Sequence, residues 1–187
     1  MSTKPVIYSP QALYDAIREK ANKEETRLSR LVATYDWEYN GVHRPDNKKY
    51  WSVEIDGWNM PWNYETKSEL TSKELRQIKD LAWAEQPHTI NEIGSTYTIQ
   101  GFDLSYVGVI LGPSVKYRNG DIIFDSSESY NTRATSRRTL SDGSKKSFGE
   151  IYIRNEVKVL LSRGVNGLYI YACDENLRKA LKTIAKI

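Results

Sequence analysis

Cysteine is almost missing from this 187-residue chain. The single one, Cys173, excludes an internal disulfide framework and fits a reducing compartment. Histidine is nearly as scarce. His43 and His88 with one thiol are too few for a usual zinc site, so no metal site is expected. A Cys173–His88 nucleophile pair is conceivable, but Cys173 closes an apolar strand and reads more simply as a small core residue. No apolar run exceeds about six residues, far short of the ~20 that cross a bilayer. The opening "MSTKPVIYSP" lacks the apolar stretch of a signal peptide. Net charge is small as well, at +3, where a domain built only to grip phosphates is more basic. The expectation is a soluble, cytoplasmic protein with no membrane partner.

Two nucleotide-binding signatures are also absent. There is no G-x-x-x-x-G-K-[ST] loop to cradle phosphates and no apolar strand ending in Asp-Glu to hold Mg²⁺.

What is present suits one domain, residues 1–187, with one sizeable core: 39% of residues are hydrophobic and 27% charged. In "SPQALYDAIREKANKEE" (9–25) Ser9 caps, Pro10 takes the first helical position, and Leu13 and Ile17 share a face. A short buried strand follows at 30–35. All five tryptophans fall between 37 and 83. Within that block Asp56-Gly57 separates two alternating runs, a strong hairpin signal, and 38–66 reads as a Trp-rich hairpin insertion packed over the sheet edge. Pro61 lacks a ladder donor, which makes its arm an edge. A helix is expected over 67–85. Strands are expected at 92–98, 106–111, 121–124 and 167–173. An amphipathic helix spans 150–164 on Ile153, Val157, Leu160 and Leu161, and a last helix starts at Asp174. Residues 125–149 read as a long polar loop with five basic side chains, either a phosphate-binding surface or a solvated mobile loop.

Near-continuously apolar strands alternating with helices argue an α/β fold, a mainly parallel sheet with helices on both faces. One tension remains. Seven residues between the strands at 92–98 and 106–111 are too few for a normal parallel crossover, so those strands are not neighbours or a compact turn joins them.

Two stretches carry candidate chemistry. In "TYTIQGFDLS", placed at the carboxyl end of a strand, Gly101 lets backbone approach a ligand, Gln100 offers donor and acceptor, and Asp103 accepts from hydroxyls. The plainer reading is a turn with a capping Asp. In "VLLSRGVNGLYIYA" Arg163 ends a helix at the margin of its apolar stripe, before a glycine turn and a buried strand. Its planar fork of donors suits a phosphate, while the plainer role is compensation of the helix dipole.

Taken together, "NEIGSTYTIQGFDLSYVGVILGP" (91–113) and "EVKVLLSRGVNGLYIYACDENLRKAL" (156–181) resemble motifs V and VI of the second RecA-like domain of superfamily 1 helicases. The nearer resemblance is to the Schlafen group 3-like DNA/RNA helicase domain family. "LSRLVATYDWEYN" and "WAEQPHTINEIGS" fit its intervening segments, so nearly the whole chain is covered.

The resemblance implies a RecA-like C-terminal motor domain. Arg163 would reach the γ-phosphate of ATP as an arginine finger. Gln100, Gly101 and Asp103 would face the nucleotide, and Ser95, Tyr97 and Thr98 would lie near single-stranded DNA or RNA. Arg137 and Arg138 of the basic loop are further candidates for nucleic-acid contact. Tyr97 stands where many relatives have His, Ser162 where Thr is usual, and Asp103 where Glu is usual. The missing phosphate loop and Asp-Glu strand belong to the family's N-terminal RecA-like domain. ATP and Mg²⁺ would bind only with that partner domain, and this chain alone would not hydrolyse ATP. The other reading is a standalone module that binds nucleic acid or protein.

Overall fold

The computed structural model describes residues 9–185 apart from Glu24 and Thr26. The stretch read for a signal sequence therefore lies, but for its last two residues, outside the described residues.

Helix α1 (Pro10–Lys23) forms where the sequence places it. The Ser9 hydroxyl accepts from the Ala12 N–H, and Leu13, Ile17 and Ala21 make its buried face. It is followed by β1 (Ser29–Ala33), buried throughout. The antiparallel hairpin of β2 (Ser52–Ile55) and β3 (Trp58–Pro61) turns on Asp56 and Gly57, both at positive φ, as a two-residue hairpin turn requires.

The helix expected over 67–85 is not continuous. Only α2 (Ser72–Gln77) is α-helical, closed by a Thr71–Glu74 capping box, with 3₁₀ turns at Glu65–Glu69 and Trp83–Glu85 on either side. Buried polar anchors override the helical pattern here. Glu92 accepts from the Thr66 N–H and hydroxyl and from the Trp83 indole N–H. Buried Arg30 donates to Thr89 and to the Gln86 carbonyl.

Next come β4 (Ile93–Gly94) and β5 (Leu104–Leu111), then a second hairpin of β6 (Val115–Arg118) and β7 (Asp121–Phe124). The expected strand at 121–124 thus pairs outside the main sheet. The 125–149 stretch is built rather than structureless. It holds a turn of helix, α3 (Thr132–Thr135), and a small hairpin of β8 (Arg138–Thr139) and β9 (Lys145–Lys146), and it is tied to the Tyr35 carbonyl by the Tyr130 N–H and the Ser129 hydroxyl. The chain closes with α4 (Gly149–Leu161), β10 (Gly164–Ala172) and α5 (Glu175–Ile184), the last capped by Asp174.

The central sheet has four parallel strands in the order β10-β5-β1-β4. The crossover tension resolves because β1 lies between β4 and β5, and because the expected strand at 92–98 is only two residues long. Its remaining residues turn away from the sheet.

Alternation along the strands divides the core in two. Leu31, Ala33, Ile110, Tyr169 and Tyr171 face α1 and the Trp-rich hairpin, which contributes Val53, Ile55, Met60 and Trp62. Val32, Val107, Val109 and Leu111 face Ile153, Val157 and Leu160 of α4 and Leu177 of α5. Helices thus cover both faces, an architecture compatible with a RecA-like fold. Among the described residues no helix is long and apolar enough to cross a membrane.

Apolar packing is tight at Gly108 in β5, where an added Cβ would lie 2.5 Å from a Leu31 methyl and 2.7 Å from an Ile17 methylene. Gly108→Ala overpacks this layer, and a loss of about 1–3 kcal/mol in chemical denaturation is the expected outcome. A variant as stable as the parent would show that α1 recedes freely.

Candidate functional site

The segment 95–103 leaves β4 at the carboxyl edge of the sheet and descends to the amino edge, where β5 begins. It opens on a compact turn. The Thr98 hydroxyl donates to the Ser95 carbonyl and accepts from the Ser95 N–H, and Gly94 leaves room for it. At the other end Gly101 has φ of +74° and open space where a Cβ would be, so its backbone is accessible.

Helix α4 descends alongside, and between the two lies a groove of about 540 Å³. Gln100, Gly101 and Arg163 line it, with Tyr152 and Val159 along α4 and Arg133 and Arg138 on the far wall. Asp103 stands at the rim. Arg163 sits immediately before β10 and Asp103 immediately before β5, so both occupy the amino edge, opposite to the carboxyl-end placement expected from the strand pattern. Arg163 Nη1 donates to Asp103 Oδ1 at 3.2 Å, and its Nε donates to the Val159 carbonyl at 3.2 Å. The guanidinium is thus held by the helix it ends, with its side chain 24% exposed against 65% for Asp103.

The residues expected near nucleic acid divide. Tyr97 is half exposed and its hydroxyl donates to Asn131 Oδ1. Ser95 is buried, with its hydroxyl committed to Asn63, and Thr98 is committed to the turn. Arg138 lines the groove, and Arg137 is exposed beside it.

Besides Glu92, two further buried acids were not singled out by the sequence pattern. Asp36 follows β1, and its Oδ2 accepts from the Thr34 hydroxyl and the Ser114 N–H, each at 2.9 Å. Gly112 makes room for it, since a Cβ there would lie 2.3 Å from that oxygen. Glu156 lies on α4 among the apolar stripe, 8% exposed, and lines the groove floor. Its Oε1 accepts from the Tyr35 N–H at 3.2 Å and the Thr96 hydroxyl at 3.4 Å. The available signal was an acid set between Ile153, Val157 and Leu160, positions a helix buries.

Burial pushes both carboxyls up, Asp36 to about 6 and Glu156 to about 8, with the Asp36 charge adding to the Glu156 shift. Burial also raises the Cys173 thiol to about 12, which leaves it inert as a nucleophile at neutral pH. Among the described residues no three metal-ligating side chains cluster.

A folded-state pKa above the ordinary 4.5 means the folded chain keeps a proton on Glu156 that the unfolded chain releases. The stability this contributes is complete below about pH 4.5 and is lost as pH rises to about 8. Thermal melts of the parent should therefore fall by several degrees across that window relative to Glu156→Gln. Parallel pH profiles for the two proteins would contradict a buried, protonated Glu156.

Comparison with known proteins agrees with this architecture. A family model, Schlafen group 3, DNA/RNA helicase domain, matches residues 5–174. An uncharacterized protein of Saccharomyces cerevisiae is 39% identical over 171 residues, which cover 91% of this chain and 34% of that protein. The chain thus spans about a third of that relative's length. No solved structure matches significantly. With the sheet order, the flanking helices and a family match running through β10, the chain belongs to the Schlafen group 3 DNA/RNA helicase domain family.

Proposed function

We propose that this chain is the C-terminal motor domain of an ATP-dependent superfamily 1 DNA/RNA helicase or translocase, with 91–113 acting as motif V and 156–181 as motif VI. One observation carries the reading. Gln100 and Gly101 line the same groove as Arg163, which is some sixty positions further along the sequence, and Arg163 in turn binds Asp103. An isolated turn or an isolated dipole-compensating arginine needs no such meeting.

The residues present fit one side of a nucleotide. Gln100 and Asp103 can hydrogen-bond a sugar, Gly101 opens the backbone, and Arg163 offers a planar fork to a terminal phosphate. ATP with Mg²⁺ would supply the phosphoryl group, and an N-terminal RecA-like domain would hold its phosphates and metal. Arg163 acts by stabilising charge on the transferred group, a contribution worth ~10³–10⁵ in rate where such fingers operate. An ion pair as exposed as Arg163–Asp103 contributes little, so an arriving phosphate can take the guanidinium over. Ile151, Tyr152 and Val159 leave apolar surface exposed on α4, which supports a covering domain there.

A second reading rests on Arg133, Arg138, Tyr97 and Tyr152, which line the same groove: a module that binds single-stranded nucleic acid without ATP. Titration of this chain with short DNA and RNA oligonucleotides at several salt concentrations separates the two. Tight binding with a steep salt slope favours the module, and undetectable binding favours half of a motor.

In the complete protein Arg163→Ala should lower ATP turnover by more than about tenfold while leaving the melting temperature near that of the parent. Near-normal turnover would remove the finger assignment.

A further inference from the structure

Segment 95–103 and α4 are joined by two contacts at opposite ends of the sheet. At the amino edge Arg163 holds Asp103. At the carboxyl edge the Thr96 hydroxyl donates to Glu156 Oε1, the same oxygen that takes the Tyr35 N–H from the end of β1. Glu156 lies in the middle of α4, and Arg163 follows two residues after the helix ends at Leu161. The two segments therefore form a pair of struts, pinned to each other at both ends.

An acid at position 156 is costly for the fold, because burying a carboxyl without full pairing is unfavourable and an aliphatic side chain would pack there freely. Ile153, Val157 and Leu160 around it already satisfy the core. What an aliphatic side chain could not do is accept from Tyr35 and Thr96. The groups around the carboxyl agree with this role. Asp36 stands behind it on the end of β1, Tyr35 adds a phenol from the same tail, and Thr96 faces it from the segment. Burial, with Asp36 adding to it, favours the neutral form of the acid, which accepts through a carbonyl oxygen as an amide does. Glutamine is therefore the conservative replacement.

We infer, on the motor-domain reading above, that Glu156 is a positioning residue that fixes α4, and with it Arg163, against segment 95–103. Contact of nucleic acid with the Tyr97 end of the segment moves Thr96. Thr96 pulls on Glu156, and α4 carries the displacement to the arginine at its far end. The link runs through contiguous hydrogen bonds and one helix, a physical route by which one site can bias the other.

Two measurements test this. The first is amide hydrogen exchange on this chain. Glu156→Ala should speed exchange at Tyr35 and across 95–99 by about tenfold, while Glu156→Gln stays within about threefold of the parent. The second is ATP turnover of the complete protein with saturating 20-residue oligo-dT or oligo-U. Glu156→Ala should lower kcat by about tenfold with KM for ATP changed less than about threefold, the pattern of a misplaced transition-state contact. Glu156→Gln should recover most of kcat, and Thr96→Val should reproduce the loss from the other side of the contact. If Glu156→Ala does not fold, the Gln and Thr96→Val variants decide. Glu156→Ala and Glu156→Gln behaving alike, or Thr96→Val behaving as the parent, would overturn the proposal. Normal turnover in Arg163→Ala would instead sink the motor reading, and exchange at Tyr35 and 95–99 would still judge the brace.

Discussion

The pairing of β5 on both edges governs this molecule. It is bonded to β1 on one side and β10 on the other, always in parallel, and both its faces are apolar. A parallel strand in that position requires the chain to return to the amino edge before each new strand. It also requires a layer on each face, because neither face can be left to water. Segment 95–103 and α4 are the two returning connections that flank β5 in sequence. Their proximity follows from the sheet, and the groove between them follows from their proximity.

Polar groups are distributed by the same frame. At the carboxyl edge Thr34, Asp36 and the backbone of Gly112 and Ser114 lock the ends of β1 and β5 together. Glu156 ties α4 into that cluster. At the amino end of the groove the polar contact is the Arg163–Asp103 ion pair, which is more open to solvent. One end of the groove is thus fixed by buried hydrogen bonds, where a missing partner is costly, and the other by a pair partly screened by solvent. Helix α4 serves both ends. It packs Ile153, Val157 and Leu160 into the core and shows Tyr152 and Val159 to the groove, so it is apolar on two sides.

Legibility from sequence followed how local the deciding physics was. Helix α1, the Asp56-Gly57 hairpin, α4 and α5 rest on caps, turn residues and periodicity within a few positions of themselves. The continuous helix over 67–85 failed because Glu92 and Arg30 anchor residues at and just beyond its two ends, Thr66, Trp83 and Gln86, in a different path. The strand at 92–98 shrank because Thr98 turns back on Ser95. Of the candidate site, the pairing of Gln100–Asp103 with Arg163 was legible only through resemblance, since spacing says nothing about which loops meet. Glu156 and Asp36 went unremarked because an acid in a periodic stripe looks like an interruption until its partners are known.

The sequence by itself determined α1, the Asp56-Gly57 hairpin, α4 and α5, the two-faced apolar strands that demand layers on both sides, and the lack of a phosphate loop. These are properties of composition and short-range pattern. Tertiary structure alone decided that β1 separates β4 from β5, that Asp103 and Arg163 share the amino edge, and that Ser95 is buried while Tyr97 is presented. It also placed Glu156 between Tyr35 and Thr96. Each of these depends on hydrogen bonds and contacts between residues tens of positions apart, whose geometry exists only once the sheet has closed.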